Sequence, residues 1–150
     1  MNNSEYYVRK LSENESQILR QKLLEIWQFG KYAYWYPLHG DAPPNTVYMA
    51  QDELKYADCL AIAKWIQKIS GNRIFLLTES EGDFEQDISL DDVDDVEDIT
   101  TDLNEDVVVD KSLSWMIYGS HENTITFTGK QLVEFIETLF AERKELLCYD

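Results

Sequence analysis

Ser120, His121 and Glu122 stand side by side and have the side-chain types of a nucleophile, a general base and an acid. In a serine hydrolase these groups touch in succession, so that the carboxylate orients the imidazole and the imidazole takes the hydroxyl proton. Consecutive residues of an extended segment point to opposite faces, so three neighbours cannot form this relay. His121 could still meet a distant group in a catalytic role, but the interpretation that we favour is a hairpin-loop histidine.

A second group of polar residues has the spacing of a calcium-binding loop. Asp83, Glu85 and Asp87 alternate along the chain, and Asp94 stands at the twelfth position of such a loop. The sixth position requires glycine for a sharp turn, and the twelfth usually holds the longer glutamate. Here the sixth position is Ile88. The pattern therefore does not predict a calcium site.

Other motifs of enzymes and metalloproteins are missing from the sequence. It has no phosphate-binding glycine loop, no zinc-protease helix and no nucleophile elbow. Cys59 and Cys148 are its two cysteines, with no histidine at zinc-ligand spacing, and a disulfide between them is neither implied nor excluded. We therefore expect a protein that is not an enzyme and that has no catalytic residues, no metal site and no cofactor.

The acidic residues are concentrated in one segment. The chain has 29 acidic and 13 basic residues and a formal net charge of −16. Fifteen of the acidic residues, and no lysine or arginine, lie between Glu79 and Asp110. Such a segment repels nucleic-acid phosphates and anionic lipids, and it attracts basic protein surfaces. We therefore predict a basic protein partner and no direct binding to nucleic acid or membrane. The alternative is an acidic solvated loop that only aids solubility.

An aromatic cluster is the other unusual feature, formed by Phe29, Tyr32, Tyr34, Trp35 and Tyr36. In a strand, strict alternation of faces would leave some of these tyrosines outside the core. Tyrosine and tryptophan are common anchors of protein interfaces, so Tyr34, Trp35 and Tyr36 are candidate partner-binding residues. The alternative is a strand buried on both faces, with its hydroxyl groups at the rim of the core.

Local patterns predict the elements that position these residues. A Ser12/Glu15 capping box begins a helix from about Glu13 to Gln28, with Gly30 placed to end it. A second apolar stripe from Leu54 to Ile69 predicts another helix that ends at Gly71. Strands are expected at 32–36, at 46–49 and at Arg73–Thr78.

The second half of the chain predicts further strands and two more helices. Ser89 can cap a short, weak helix from Leu90 to about Glu97, and a strand at Val107–Val109 follows. Residues 113–128 alternate as a hairpin with Gly119 near its turn, and a Thr128/Gln131 capping box begins the closing helix. This order predicts an α+β fold, with an antiparallel sheet and a C-terminal hairpin packed against about three helices.

The length of the chain is that of one domain, and its apolar runs are short. A chain of 150 residues supports a single core, so residues 1–150 are expected to form one domain, with residues 79–110 as an acidic, insertion-like segment within it. No apolar run approaches the length of a membrane-spanning helix, and the N-terminal residues have no basic start followed by an apolar stretch. We therefore expect a cytoplasmic protein.

The predicted hairpin and the start of the last helix carry a resemblance to a known group of proteins. The stretch from Trp115 to Gly129, WMIYGSHENTITFTG, resembles a pattern in small bacterial proteins, some of them encoded beside toxins. With its size and acidity, the chain is similar to immunity proteins of contact-dependent growth inhibition and related polymorphic toxin systems. These families differ in fold, so no binding residue is carried over by position.

This resemblance implies a non-catalytic inhibitor that protects its producer by binding a cognate toxin, often a nuclease with a basic cleft. The charge distribution independently suits such a partner, since an acidic surface can occupy the subsites that bind phosphates. The candidate contact residues are Asp91, Asp92, Asp94, Asp95 and Asp98 in the acidic segment, with the aromatic cluster as a further anchor. The alternative is a general interaction or regulatory domain of another process, in which the acidic segment is a solvated flap.

Overall fold

The computed structural model describes residues 7–27, 45–78, 82–91, 93–101 and 103–149. Within these ranges the helices are α1 (Glu13–Trp27), α2 (Tyr56–Ser70), α3 (Val93–Asp98) and α4 (Lys130–Leu139). The strands are β1 (Tyr7–Lys10), β2 (Thr46–Ala50), β3 (Arg73–Leu77), β4 (Asp83–Asp87), β5 (Asp106–Val109), β6 (Met116–Gly119) and β7 (Thr124–Thr128). Short 3-10 turns follow β2 and α4.

The seven strands form one sheet in the order β1-β4-β3-β5-β6-β7-β2, and every neighbouring pair is antiparallel. The middle of the sheet is built from β3 to β7, which follow one another in the chain although β3 pairs with both β4 and β5, whereas both edges are formed by strands from the first third of the chain. The fold is therefore α+β, and the predicted antiparallel sheet with a C-terminal hairpin is confirmed.

Helices cover both faces of the sheet, and the alternation of side chains along each strand divides the core in two. On one face Ile74, Val108 and Ile117 pack against α2, α3 and α4. On the other face Leu77 and Tyr118, with their strand neighbours, pack against α1. The central strands are therefore apolar on both sides, which explains why all four residues of β6 are buried.

Most predicted elements are confirmed at nearly the predicted bounds. The Ser12/Glu15 capping box is present, with the Glu15 amide donating to Ser12 Oγ at 3.1 Å and the Ser12 amide to Glu15 Oε1 at 2.9 Å. Gly71 ends α2 in the left-handed conformation, at a φ of 67°. The hairpin register pairs Ile117 with Phe127 and Gly119 with Ile125. Gly30 and the strand predicted at 32–36 lie outside the described residues.

Three parts of the prediction need correction. The short helix α3 begins at Val93 instead of Leu90, four residues beyond the Ser89 that was predicted to cap it, and Ser89 Oγ accepts a hydrogen bond from the Asp91 amide at 3.4 Å. The Thr128/Gln131 capping box is absent, since Gly129 is the N-cap residue of α4 and no side chain caps the helix. Thr128 lies in β7, and its hydroxyl pairs across the sheet with that of Thr46 at 2.7 Å. The sequence analysis also did not anticipate β1 or β4, because both are short and rich in charged residues.

The chain after α4 is fixed to the rest of the fold. Arg143 donates two hydrogen bonds to the buried carboxylate of Asp58 in α2, at 2.7 and 3.0 Å, and its guanidinium lies 4.5 Å above the ring of Phe140. The Arg143 hydrogen bond holds the pKa of Asp58 below its usual range, although burial opposes this. Cys148 forms a single antiparallel bridge with Tyr48 at the edge of β2. No helix among the described residues is both long and apolar enough to cross a membrane.

Candidate interaction surface

The first acidic residue of the acidic segment that the structure describes is buried and paired. Asp83 in β4 is 4% exposed, and Arg20 of α1 donates to it through Nε at 2.9 Å and Nη2 at 2.6 Å. Arg20 Nη2 also donates to the carbonyl oxygen of Thr78 at 3.0 Å. A guanidinium in this two-point geometry satisfies both carboxylate oxygens. Asp83 is therefore a structural link between α1 and the sheet.

The other two acidic residues of β4 are also paired with arginines. Glu85 lies between Arg9 of β1 and Arg73 of β3, at 3.0 and 3.4 Å, and Arg73 also reaches Asp87 at 3.1 Å. The register explains these contacts, since Glu85 lies opposite both Arg9 and Phe75, and Asp87 lies opposite Arg73. The alternate spacing of Asp83, Glu85 and Asp87 is thus the two-residue period of a strand.

The acidic residues at the other end of the segment are held by internal donors. Glu105 has a φ of 60°, and its carboxylate accepts a hydrogen bond from the Tyr118 hydroxyl. The same carboxylate accepts hydrogen bonds from the backbone amide of His121 at 2.8 Å and from the Nδ1 atom of His121 at 2.5 Å. Burial alone would raise the pKa of Glu105, but these bonds outweigh it and keep the pKa below its ordinary value. The carboxylate therefore joins the start of β5 to the β6–β7 turn.

Asp110 has the same kind of role after β5. It is 4% exposed and accepts hydrogen bonds from the Ser112 hydroxyl, the Ser70 hydroxyl at 2.8 Å and Trp115 Nε1 at 3.0 Å. Burial alone would raise the pKa of Asp110, but the hydrogen bonds outweigh this effect and hold the pKa below its ordinary value. Asp110 is therefore a buried anchor between α2 and the turn that leads to β6.

The geometry around His121 does not form a catalytic relay. Ser120 Oγ accepts hydrogen bonds from the backbone amides of Glu122 at 3.1 Å and Thr124 at 3.3 Å, which places the hydroxyl inside the turn. The carboxylate that contacts His121 Nδ1 is Glu105, not its neighbour Glu122, whose Oε1 lies 3.8 Å from Nε2. In the described residues, these side chains link the hairpin turn to β5.

The helix α3 carries the densest acidic stretch, and apolar residues fix it in place. Val96 and Ile99 are buried in the core shared with α2, and Thr100 is also buried, with its hydroxyl donating to the carbonyl oxygen of Val96 at 2.8 Å. Val93, at the start of the helix, is 46% exposed. The backbone of α3 is therefore anchored against α2 on the sheet face opposite α1.

We call residues 91–102 the α3 acidic segment. Seven of its twelve residues are acidic and none is basic, namely Asp91, Asp92, Asp94, Asp95, Glu97, Asp98 and Asp102. The β4 carboxylates have arginine partners, whereas no lysine or arginine of this segment itself can neutralise its charge. The excess of negative charge found in the sequence is therefore concentrated further, at α3.

The predicted contact residues are only partly covered by the described residues. Asp91 is exposed just before α3, and its amide donates to Ser89 Oγ at 3.4 Å. Asp94, Asp95 and Asp98 lie within α3, but their side chains are outside the description, as is Asp92. Tyr34, Trp35 and Tyr36 also lie outside the described residues.

Sequence analysis missed the arginine partners of β4. The available indication was the strict alternation of charge over Asp83, Glu85 and Asp87, since it implies one charged face of a strand that needs cations opposite. Among the described residues, no three His, Cys, Asp or Glu side chains are grouped to hold a metal ion.

Comparison of the chain with protein-family models, with curated proteins and with solved structures gave no match.

Proposed function

We propose that the protein is a non-catalytic binding protein that covers a basic protein surface with its α3 acidic segment. In its specific form, the proposal is a cytoplasmic immunity protein that inhibits a cognate nuclease-type toxin. The resemblance at Trp115–Gly129 supports the specific form, and the charge distribution supports the general one.

The observation that carries the proposal is the contrast between β4 and α3. In β4 each of the three carboxylates has an arginine within 3.4 Å, so this part of the acidic segment serves the fold. At α3 the buried residues Val96, Ile99 and Thr100 fix the helix and the turn that follows it, and the α3 acidic segment contains no lysine or arginine. Binding to a basic partner is the use that we propose for this concentrated charge.

An anchored helix suits binding better than a flexible flap. A partner that binds a segment already fixed on α2 does not have to order that segment, so less conformational entropy is lost on association. The concentrated negative potential also speeds the encounter with a basic surface, and this effect weakens with added salt. In a nuclease, carboxylates at the cleft would occupy the positions of the phosphates.

The partner can be identified by affinity capture from the native host, using the full chain as bait. We expect a basic protein, and under the specific proposal it is a nuclease encoded beside this chain. Capture of an enzyme or regulator of another process, without a basic surface, would support a general interaction domain and contradict the toxin-inhibitor proposal.

The binding surface can be tested with two variants that lower the net negative charge by the same amount. The first changes the five predicted contact residues of the α3 acidic segment to asparagine: Asp91, Asp92, Asp94, Asp95 and Asp98. The control changes five exposed acidic residues elsewhere to their amides: Glu13, Asp52, Glu53, Glu142 and Glu145.

The two variants separate a local surface from a global charge effect. We expect the α3 variant to reduce the association rate and its salt dependence strongly, and the control to change them little. Equal losses in both variants would mean that net charge, and not this segment, attracts the partner. An unchanged affinity in the α3 variant would reject the electrostatic proposal.

A further inference from the structure

A small groove lies between α1 and the sheet, on the face opposite α3. Its volume is about 230 Å³, and its apolar lining comes from Leu11, Ile18, Leu19, Phe75 and Leu113. On α1, the lining residues are Glu15, Ile18, Leu19 and Lys22. Ile18 and Leu19 lie three and four positions after Glu15, and Lys22 lies four and three positions after them, which places all four on one side of the helix. The groove is thus formed by a single helix face above β1 and β3.

The charged residues of this α1 groove are mostly cationic. Arg9, Lys22 and Lys111 line it, and Glu15 is the acidic residue among its lining. Glu15 is engaged by Arg9 through two hydrogen bonds of 2.8 and 2.7 Å. Within the part of the chain that the structure describes, Lys22 and Lys111 are exposed and form no ion pair.

Two other grooves of the described residues differ in charge. The groove beside α4 and the C-terminal chain has Glu134, Glu137 and Lys144 in its lining. The one near Gly82 has equal numbers of acidic and basic residues, Glu13 and Asp83 against Lys10 and Arg20. In a chain with a net charge of −16, an apolar groove with two lysines that have no ion-pair partner in the described part of the chain is therefore unlike these two grooves.

We propose that the α1 groove binds a small amphiphilic carboxylate, with its apolar part against Phe75, Ile18 and Leu113 and its carboxylate toward Lys22 and Lys111. The volume is below the roughly 300–1,000 Å³ of sites for drug-sized ligands, so it accommodates one ring or a short branched chain. Two solvent-exposed ammonium groups give modest affinity, in about the millimolar range. The site lies on the opposite face from the α3 acidic segment, and it does not depend on the function proposed for that segment.

The test uses the full chain and three probes that share one apolar body. The probes are 3-phenylpropionate, its neutral amide 3-phenylpropanamide and the cation 3-phenylpropylamine, each titrated against the ¹⁵N-labelled protein and followed by amide chemical shifts. We expect saturable shifts for the carboxylate at Leu19, Phe75 and Leu113, weaker shifts for the amide and none for the amine. Equal binding of all three probes, or no saturable shift up to the solubility limit, would overturn the proposal.

Lysine variants test the role of Lys22 and Lys111 in the α1 groove. Lys22→Gln with Lys111→Gln removes both unpaired cations, and we expect about three- to tenfold weaker binding of the carboxylate with no change for the amide. Lys64→Gln with Lys130→Gln, at exposed positions on α2 and α4, is the matched control and is expected to leave both affinities unchanged. Equal losses in the two pairs would show only an effect of net charge and would reject the site.

A substitution on the apolar wall gives an independent test. Ile18 is 50% exposed, so Ile18→Glu can place a negative charge in the groove without disturbing the core. We expect this variant to lose carboxylate binding and to keep the folded amide spectrum. Carboxylate binding that Ile18→Glu leaves unchanged would contradict the placement of the ligand against Ile18.

Discussion

Arg20 and Asp83 form a two-point ion pair that joins α1 to β4 across 63 positions of the chain. From the sequence alone, Asp83 is one of many acidic residues expected on an acidic surface. The contact with Arg20 shows instead that its carboxylate is buried and links the helix to the sheet. Glu85 and Asp87 also have arginine partners, so the β4 carboxylates are paired within the fold. The α3 acidic segment is the part of the acidic residues for which we propose a binding role.

This distinction predicts different effects of equal charge removal on stability. Asp83→Asn leaves Arg20 without its carboxylate in a partly buried contact, and we expect a loss of about 1–3 kcal/mol in the free energy of unfolding. Asp91→Asn changes an exposed side chain and should stay within about 0.5 kcal/mol of the parent protein. Urea denaturation measures both. Equal values would contradict the structural role of Asp83.

Two glycines with positive φ are expected to differ in their tolerance of a side chain. Gly71 has a φ of 67° with open space around a Cβ, so Gly71→Ala should cost about 1–2 kcal/mol from backbone strain alone. At Gly129 the φ is 111°, and a Cβ would lie 2.5 Å from the Ser114 carbonyl oxygen. Gly129→Ala should therefore cost about 3 kcal/mol or more. Thermal unfolding of both variants gives the comparison, and a milder effect at Gly129 than at Gly71 would contradict it.

The capping box of α1 predicts a component of acid sensitivity. Hydrogen bonds from Arg9 and from the Ser12 amide lower the pKa of Glu15 from 4.5 to about 2. The unfolded chain takes up this proton at a higher pH than the folded protein, so the stabilisation is complete above pH 4.5 and is lost as the pH falls toward 2. Glu15→Gln should therefore flatten the decline of the unfolding free energy across this range.

The control for this effect is Glu13→Gln on the same turn of α1, which should leave the decline unchanged. Chemical unfolding at a series of pH values measures the slope in the parent and both variants. A parent-like slope in Glu15→Gln would show that other carboxylates account for the acid sensitivity.

The two cysteines should react at very different rates. Cys59 is 1% exposed, and burial raises the pKa of its thiol, whereas Cys148 is exposed and both thiols are free. Because the thiolate is the reactive form, an aromatic disulfide reagent should modify one thiol quickly and the second only after unfolding. Cys148→Ser should abolish the fast phase. Two fast thiols in the native protein would contradict the burial of Cys59.

Sequence patterns predicted most elements because each depends on residues a few positions apart. The Ser12/Glu15 box, the apolar stripe of α2 with Gly71 beyond it, and the hairpin around Gly119 are all local. The same approach was wrong at Thr128, where a residue with the right spacing for a cap is held in the sheet by Thr46. Local spacing could not show that a more distant partner takes this hydroxyl.

The sequence predicts a candidate surface from charge alone, and the structure shows which of its carboxylates have partners within the fold. The count of charge placed it between Glu79 and Asp110, and the structure divides that range into β4, α3 and β5. The carboxylates of Glu105 and Asp110 are engaged by internal donors, which a count of formal charge cannot reveal. Their contribution to an outer surface is correspondingly smaller.

By itself the sequence determined the α+β class, the main helices, the hairpin and the region where negative charge accumulates, because hydrophobic period, capping and composition are short-range properties. Only the tertiary structure decided that β1 pairs with β4, that β2 pairs with β7, and that arginines lie beside the β4 carboxylates. These contacts join residues far apart in the chain. Whether a carboxylate supports the fold or remains available to a partner depends on which group faces it in space.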